Sequence, residues 1–255
     1  MSDSTSDSVS APETPRPRLP MFFNSVVGVN PQTHPDIRLD RESGFGFAAG
    51  AQSVPLGLGE LEMASQHFPI LFTSGPDPVP VALLGLKEGH NLFVAPGGTW
   101  LADSYVPAYV RAFPFVFIED PTSKTLFVGM EPDAPALNTG HGQRMFEDGQ
   151  PMPVLNDAIA FCNAFREGVQ AAASFGRAVE AAGLLEEEEA TVTFTAGGST
   201  RVRGFKTIKP ERFAALDDTL FLEWRRMGWL SAIYAHIYSA GRWSRLIELS
   251  APRNS

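Results

Sequence analysis

The stretch Gly98–Phe117, GTWLADSYVPAYVRAFPFVF, holds one of the four Trp, two of the four Tyr and three of the nineteen Phe of the chain. Within it stand a single arginine, Arg111, and a single acid, Asp103. The spacing predicts a short helix that feeds a strand. Tyr105, Val106, Tyr109, Val110 and Phe113 recur at helical intervals behind Asp103 or Ser104 as a cap. Pro107 falls in the first turn, where a missing N–H costs nothing. Pro114 then ends the helix by turning Phe113 away from the α region, and Phe115–Ile118 is an apolar run of strand length. Most of these aromatics read as core packing. The sharper reading is an aromatic-lined pocket with Arg111 as its polar anchor.

Outward from this stretch, Met21–Val29 predicts a first strand, which Asn30-Pro31 and His34-Pro35 bring to an end. Gly44–Leu56 interleaves Phe45 and Phe47 with glycines, the pattern of a strand that bends or that another backbone approaches closely. A short helix is expected over Gly59–His67. Gln66–Leu86 and Arg111–Met130 then repeat one order: helix end, Phe-Pro, strand, Asp-Pro turn, strand. They are expected as two hairpins of one antiparallel sheet. Between them, Asn91–Leu101 predicts a further hairpin with Gly97-Gly98 at its tip.

Glu131–Met152 is rich in Gly, Pro and charge and reads as a long surface loop. Pro153 opens a helix of sustained 3.6-residue period that runs to Ala182, with Gly183 suited to the C′ position. Glu186–Glu189 reads as a solvated connection. Thr191–Ile208 alternates about Gly197-Gly198, a pair suited to a primed turn. Pro210 starts a short helix, Asp217-Asp218 cap another that Gly228 ends, and aromatic helices follow. The expected fold is α+β, a mainly antiparallel sheet of about eight strands covered by one long central helix and the C-terminal aromatic helices. Residues 21–250 are expected as a single domain behind a disordered leader, residues 1–20.

With 44% hydrophobic and 19% charged residues the chain has material for a packed core. A net charge of -9 argues against a nucleic-acid surface, which needs a basic face. No secretory signal is legible and no apolar run approaches the ~20 residues that cross a bilayer. A cytoplasmic protein without membrane insertion is therefore expected. The lone Cys162 excludes an intrachain disulfide and reads as a buried small hydrophobe.

Catalytic signatures are sparse. Gly44-x-Gly46 and Gly57-x-Gly59 lack the rest of a nucleotide fingerprint, and there is no phosphate loop, Gly-x-Ser-x-Gly or His-Glu-x-x-His. His34-Pro35-Asp36 has the His-x-acid spacing of the non-haem iron facial triad, with His90 or His141 available as the second histidine. That alternative makes the protein an Fe(II)-dependent oxygenase. The competing reading is a surface turn whose Asp36 caps the chain or pairs with Arg38. His236 reads as a histidine at the edge of the core.

Binding is the remaining class, with no catalytic residue and no cofactor. Trp100, Tyr105, Tyr109 and Arg111, with Trp229, Tyr234 and Trp243, are the candidates for an aromatic cleft that takes a peptide or small molecule. The same residue types also suit an interface with a protein partner or a homo-oligomer.

Four segments carry a family resemblance: FFNSVVGVNPQTHPDIRL (Phe22–Leu39), FGFAAGAQSVPL (Phe45–Leu56), WLADSYVPAYVRAFPF (Trp100–Phe115) and GWLSAIYAHIYSAGRWSRL (Gly228–Leu246). On them the chain resembles the bacterial SapC family across nearly everything after the leader. The resemblance implies a surface-layer-related accessory protein linked to the cell surface or to outer-membrane nutrient uptake without fixing a molecular activity, and the residue reading adds that it is a binding or assembly module. The peptide-transport permease of the same name is a different protein, since this chain lacks membrane spans.

Overall fold

Residues 19–119, 123, 125–193 and 198–251 are described by the computed structural model of the protein. In chain order the strands are β1 (Val27–Gly28), β2 (Arg38–Leu39), β3 (Ser53–Pro55), β4 (Ile70–Thr73), β5 (Pro80–Leu83), β6 (Phe115–Glu119), β7 (Leu126–Met130), β8 (Leu137–Asn138), β9 (Gln143–Arg144), β10 (Phe146–Glu147), β11 (Gln150–Pro151), β12 (Leu185–Thr193) and β13 (Ser199–Ile208). The helices are α1 (Leu61–Ser65), α2 (Ala108–Ala112), α3 (Pro153–Ala181), α4 (Pro210–Ala214), α5 (Asp218–Arg226), α6 (Trp229–Ser239) and α7 (Trp243–Ser250). Among the described residues no helix is long and apolar enough to cross a membrane.

The α+β class is as expected, and all the described pairings are antiparallel. The strands divide among sheets: five in the order β12-β13-β4-β5-β3, three as β1-β7-β6, three as β8-β2-β9, and the pair β10-β11. The two Phe-Pro hairpins therefore do not share a sheet. Burial explains the split. β4 buries Ile70, Leu71 and Phe72 in succession, the mark of an inner strand covered on both faces. β6 buries only Phe115.

Other expectations shift for local reasons. The first strand shortens to Val27–Gly28, and the region expected as a plain loop, Glu131–Met152, carries the short strands β8 to β11. The cap of α2 is Pro107, while Asp103 sits at φ 59° in the preceding turn. The acidic run is strand and not connection, and cations flank it. Glu186 pairs with Arg212, Glu188 with Lys209 and Glu189 with Arg203. Such surface pairs contribute at most about 1 kcal/mol each, so β12 is held mainly by its ladder to β13 and the burial of Leu185 and Val192. Most of the expected leader, the Asp120-Pro121 turn and Gly197 at the β12–β13 tip lie outside the described residues.

Helix α3 organises the packing. Its first half buries Leu155, Ala158 and Cys162 in a cluster with Phe115, Met130 and Met145. Its second half buries Phe175 and Val179 in the larger cluster, with Phe72, Phe205 and Ile233. Gly176 sets the depth of the second contact, since a Cβ there would stand 1.8 Å from the Pro78 carbonyl oxygen. Phe72 of β4 touches both Phe175 of α3 and His236 of α6, and α6 bonds to two strands through buried side chains. Ile70 N–H donates to Ser239 Oγ at 2.9 Å, and Ile208 N–H donates to His236 Nε2 at 2.9 Å.

Two outcomes follow from these contacts. Gly176→Ala is expected to lower stability by about 2–3 kcal/mol through overpacking against backbone, read as a lower urea midpoint at unchanged slope; an unchanged midpoint would refute the contact. Burial holds the pKa of His236 down to about 4 from 6.5. Below pH 6.5 the unfolded chain takes up a proton that the folded chain refuses, so stability falls as pH drops from about 6.5 to about 4. The loss is about 3 kcal/mol. His236→Gln, which can still accept from Ile208, is expected to flatten that part of the profile. Equal slopes for the two proteins between pH 6.5 and 4.5 would clear His236.

Candidate functional site

A short polar chain fixes Arg111. Glu60 is buried at the start of α1 and accepts from Gly57 N–H at 2.7 Å, Ala108 N–H at 2.9 Å and the Tyr105 hydroxyl at 2.8 Å. Arg111 in turn donates through Nη2 to the Tyr105 oxygen at 3.0 Å and through Nε to the Val106 carbonyl at 3.0 Å. Its guanidinium carbon lies 4.8 Å from the centre of the Phe161 ring and 5.5 Å from that of Tyr105. Burial, and then the neighbouring Glu60 carboxylate, push the Tyr105 pKa up to about 12. The phenol thus stays protonated, donating to Glu60 while accepting from Arg111. Trp100 is buried and braces Tyr105 by donating Nε1–H to its carbonyl at 3.0 Å.

Arg111 borders a cavity of about 190 Å³ where α2, α3 and the 39–47 loop meet. Phe45, Phe47, Phe113, Phe161, Ala158 and Cys162 supply its apolar walls, and Asp40, Arg41 and Arg111 its charges. Phe47 stacks on Phe113 at 4.1 Å between ring centres. The 43–47 loop is pinned backbone to backbone: Phe45 N–H donates to Gly98 O at 2.6 Å. Gly44 has a φ of +81°, and a Cβ there would meet the same oxygen at 3.1 Å. The interleaved glycines at 44 and 46 thus serve the close backbone approach expected of them, although Gly46–Ala48 is a 3-10 turn. Ser43, Gly44, Phe47 and Pro135 also border an open channel of about 540 Å³ beside the cavity.

The three charges differ in their engagement. Asp40 accepts from His141 Nε2 at 3.1 Å and from Glu42 N–H at 2.9 Å. Arg41 is exposed and has no ion-pair or hydrogen-bond partner among the described residues. Cys162 is buried, and that burial pushes its pKa up to about 11. A thiol so held is a poor nucleophile.

The structure divides the predicted aromatic set. Arg111 borders the first cavity, and Tyr105 and Trp100 act on it through Arg111. Tyr109 donates its hydroxyl to Met21 O at 3.2 Å and lines a second cavity. Trp229 packs on Phe175 and Trp224, Trp243 on Phe205, and Tyr234 on Phe213 and Tyr238. None of these three lines either cavity, and no described ring contact joins them to Trp100, Tyr105 or Tyr109.

The iron alternative is not assembled. Among the described residues no group of three or more His, Cys, Asp or Glu stands where it could hold a metal ion, so His34, Asp36 and His90 do not converge. His34 Nδ1 lies 2.9 Å from Thr33 Oγ1, and His90 Nδ1 lies 3.1 Å from Glu88 O. Arg38, offered as a partner for Asp36, donates instead to Gly142 O at 3.0 Å. Asp40, Arg41 and Phe161 were missed by sequence reasoning: the first two carry no periodic signal, and Phe161 reads as one more core position of α3.

What the fold and the site define is an α+β protein with an aromatic cavity whose rim carries two arginines. The chain belongs to the SapC family, whose description matches residues 29–246. No curated protein and no solved structure matches it.

Glu60→Ala is expected to lower stability by about 3–5 kcal/mol, since it strands the buried Gly57 and Ala108 amides and the half-buried Tyr105 hydroxyl. Tyr105→Phe, which removes one donor and one acceptor together, is expected to cost about 1 kcal/mol. Chemical denaturation of both variants checks the order, and a Tyr105→Phe loss equal to that of Glu60→Ala would contradict the network.

Proposed function

We propose that the protein is a non-catalytic binding module whose first cavity takes the carboxylate end of a short peptide with an apolar last side chain. The observation that carries this reading is the pair Arg41 and Arg111 above walls of Phe45, Phe47, Phe113 and Phe161. Arginine forks match a carboxylate, and Arg41 has no described partner to give up. The apolar walls suit a Phe- or Leu-sized side chain, and the neighbouring channel offers room for the preceding residues. The shifted groups at or beside the cavity, Cys162 and Tyr105, are both moved away from neutrality, the reverse of what a nucleophile or a general base needs. The family resemblance supplies the setting of an accessory protein linked to cell-surface or outer-membrane nutrient uptake, and a cytoplasmic site of action is part of the same proposal.

Isothermal titration with the tripeptide glycyl-glycyl-phenylalanine and with its C-terminal amide tests the reading. The acid is expected to bind at least about tenfold more tightly than the amide, the equivalent of one charge-assisted contact. Arg41→Ser, at an exposed side chain, is expected to remove that preference while leaving the melting temperature unchanged. Equal binding of acid and amide, or no saturable heat from either, would overturn the assignment.

A further inference from the structure

The second cavity, of about 220 Å³, shares Ala112, Phe113, Phe115 and Cys162 with the first but has its own far wall. Phe23, Tyr109, Phe117, Phe165 and Val169 make that wall, and Arg166 is the one charged residue lining it. Neither Asp40, Arg41 nor Arg111 reaches it. Arg166 forms no ion pair with any described residue. Its Nη2 donates to Asn163 Oδ1 at 3.0 Å, its Nε is buried without an acceptor, and its guanidinium carbon lies 5.9 Å from the centre of the Phe117 ring. A half-buried cation with an idle N–H at the edge of an apolar chamber lacks a counter-charge.

We propose that this cavity binds a medium-chain alkanoate, its carboxylate on the Arg166 guanidinium and its chain among the phenylalanines. Three observations select that class. The single cation calls for a monoanion, and the absence of any acid in the lining gives an ammonium group nothing to bind, which disfavours amino acids and peptides. The walls are otherwise apolar apart from Gln170 and the Tyr109 hydroxyl, which is already given to Met21. The volume equals roughly seven water-sized groups at about 30 Å³ each, close to the bulk of an eight-carbon chain. The site is separate from that of the proposed peptide, and stands whether or not the peptide binds.

The test is a carbon NMR titration of carboxyl-labelled octanoate into the full chain, with octanamide as the control ligand. A saturable shift of the carboxyl signal at one octanoate per chain is expected, with octanamide binding at least tenfold more weakly. Val169→Trp, which fills the chamber, and Arg166→Met, which keeps the stem and removes the charge, are each expected to weaken octanoate at least tenfold. Ala158→Leu in the first cavity, and saturating glycyl-glycyl-phenylalanine, are expected to leave octanoate binding unchanged. Equal affinity for octanoate and octanamide, displacement by the tripeptide, or no saturable shift would each overturn the proposal. The acid-amide comparison is made on the unmodified chain, so it decides even where a variant fails to fold.

Discussion

One helix is shared by two hydrophobic clusters, and the rest of the molecule is arranged around that sharing. Residues 153–181 run about 43 Å at 1.5 Å per residue, too long to bury in either cluster alone. Leu155 and Phe175 anchor its two ends, both almost wholly removed from solvent. Between them the helix passes from one cluster to the other, and there it carries Ala158, Phe161, Cys162 and Phe165. Both cavities open along this middle section. Cavities form where packing of two cores cannot be matched by one straight rod, and the short α2 segment with its flanking prolines fills the junction only in part. Gly168 adds a second close approach, with Gly57 Cα 3.5 Å from where its Cβ would stand.

Much of this fold is irregular chain, so its backbone N–H groups need partners that sheets and helices do not supply. Two buried carboxylates meet that need. Glu60 takes the amides of Gly57 and Ala108, and Glu131 takes those of Asn24, Ser25 and Asp133. Burial alone would raise the pKa of Glu131, yet the Ser25, Asn24 and Asp133 amides and the Ser25 hydroxyl outweigh it and hold the carboxyl below its usual range. Each carboxylate stitches a segment near α2 or β1 to a distant one. Glu60 does more, because through Tyr105 it sets the direction of Arg111. The position of the Arg111 guanidinium is thus a by-product of satisfying buried backbone groups.

What was legible in the sequence was local. The period of α3, the Asp217 cap of α5 and the positive φ of Gly183 and Gly228 all follow from side chains within a few residues of one another. Strand partners were not legible: two hairpins of the same order went to different sheets because burial, not order, decides which strand becomes central. The run Glu186–Glu189 misled because charge reads as loop, whereas an edge strand tolerates charge and is protected by it from pairing with other chains. Of the site, Arg111 stood out as the lone cation in an aromatic stretch. Arg41 and Asp40 did not, since a charge in a loop leaves no periodic pattern. The three-residue spacing at His34 misled for the opposite reason, because a match that short carries no information about where a second histidine will fall.

The wall between the cavities is made of side chains, which raises the question of whether they behave as one. Phe113 is its central member, with ring centres 4.1 Å from Phe47, 5.3 Å from Phe23 and 6.2 Å from Phe22. Aromatic pairs of this kind contribute about 0.5–1.5 kcal/mol each, so swinging Phe113 aside forfeits roughly 1.5–4.5 kcal/mol. A conformer that costly is a minor one. The neighbours close the remaining routes, since Pro114 and Phe115 are buried and Ala112 belongs to the last turn of α2. The wall therefore stays shut in most molecules, and the chambers keep their own chemistry. One has two arginines and an acid at its rim, the other a single arginine against hydrocarbon. The two cavities differ in chemistry while lying a side chain apart because a stack of rings lies between them.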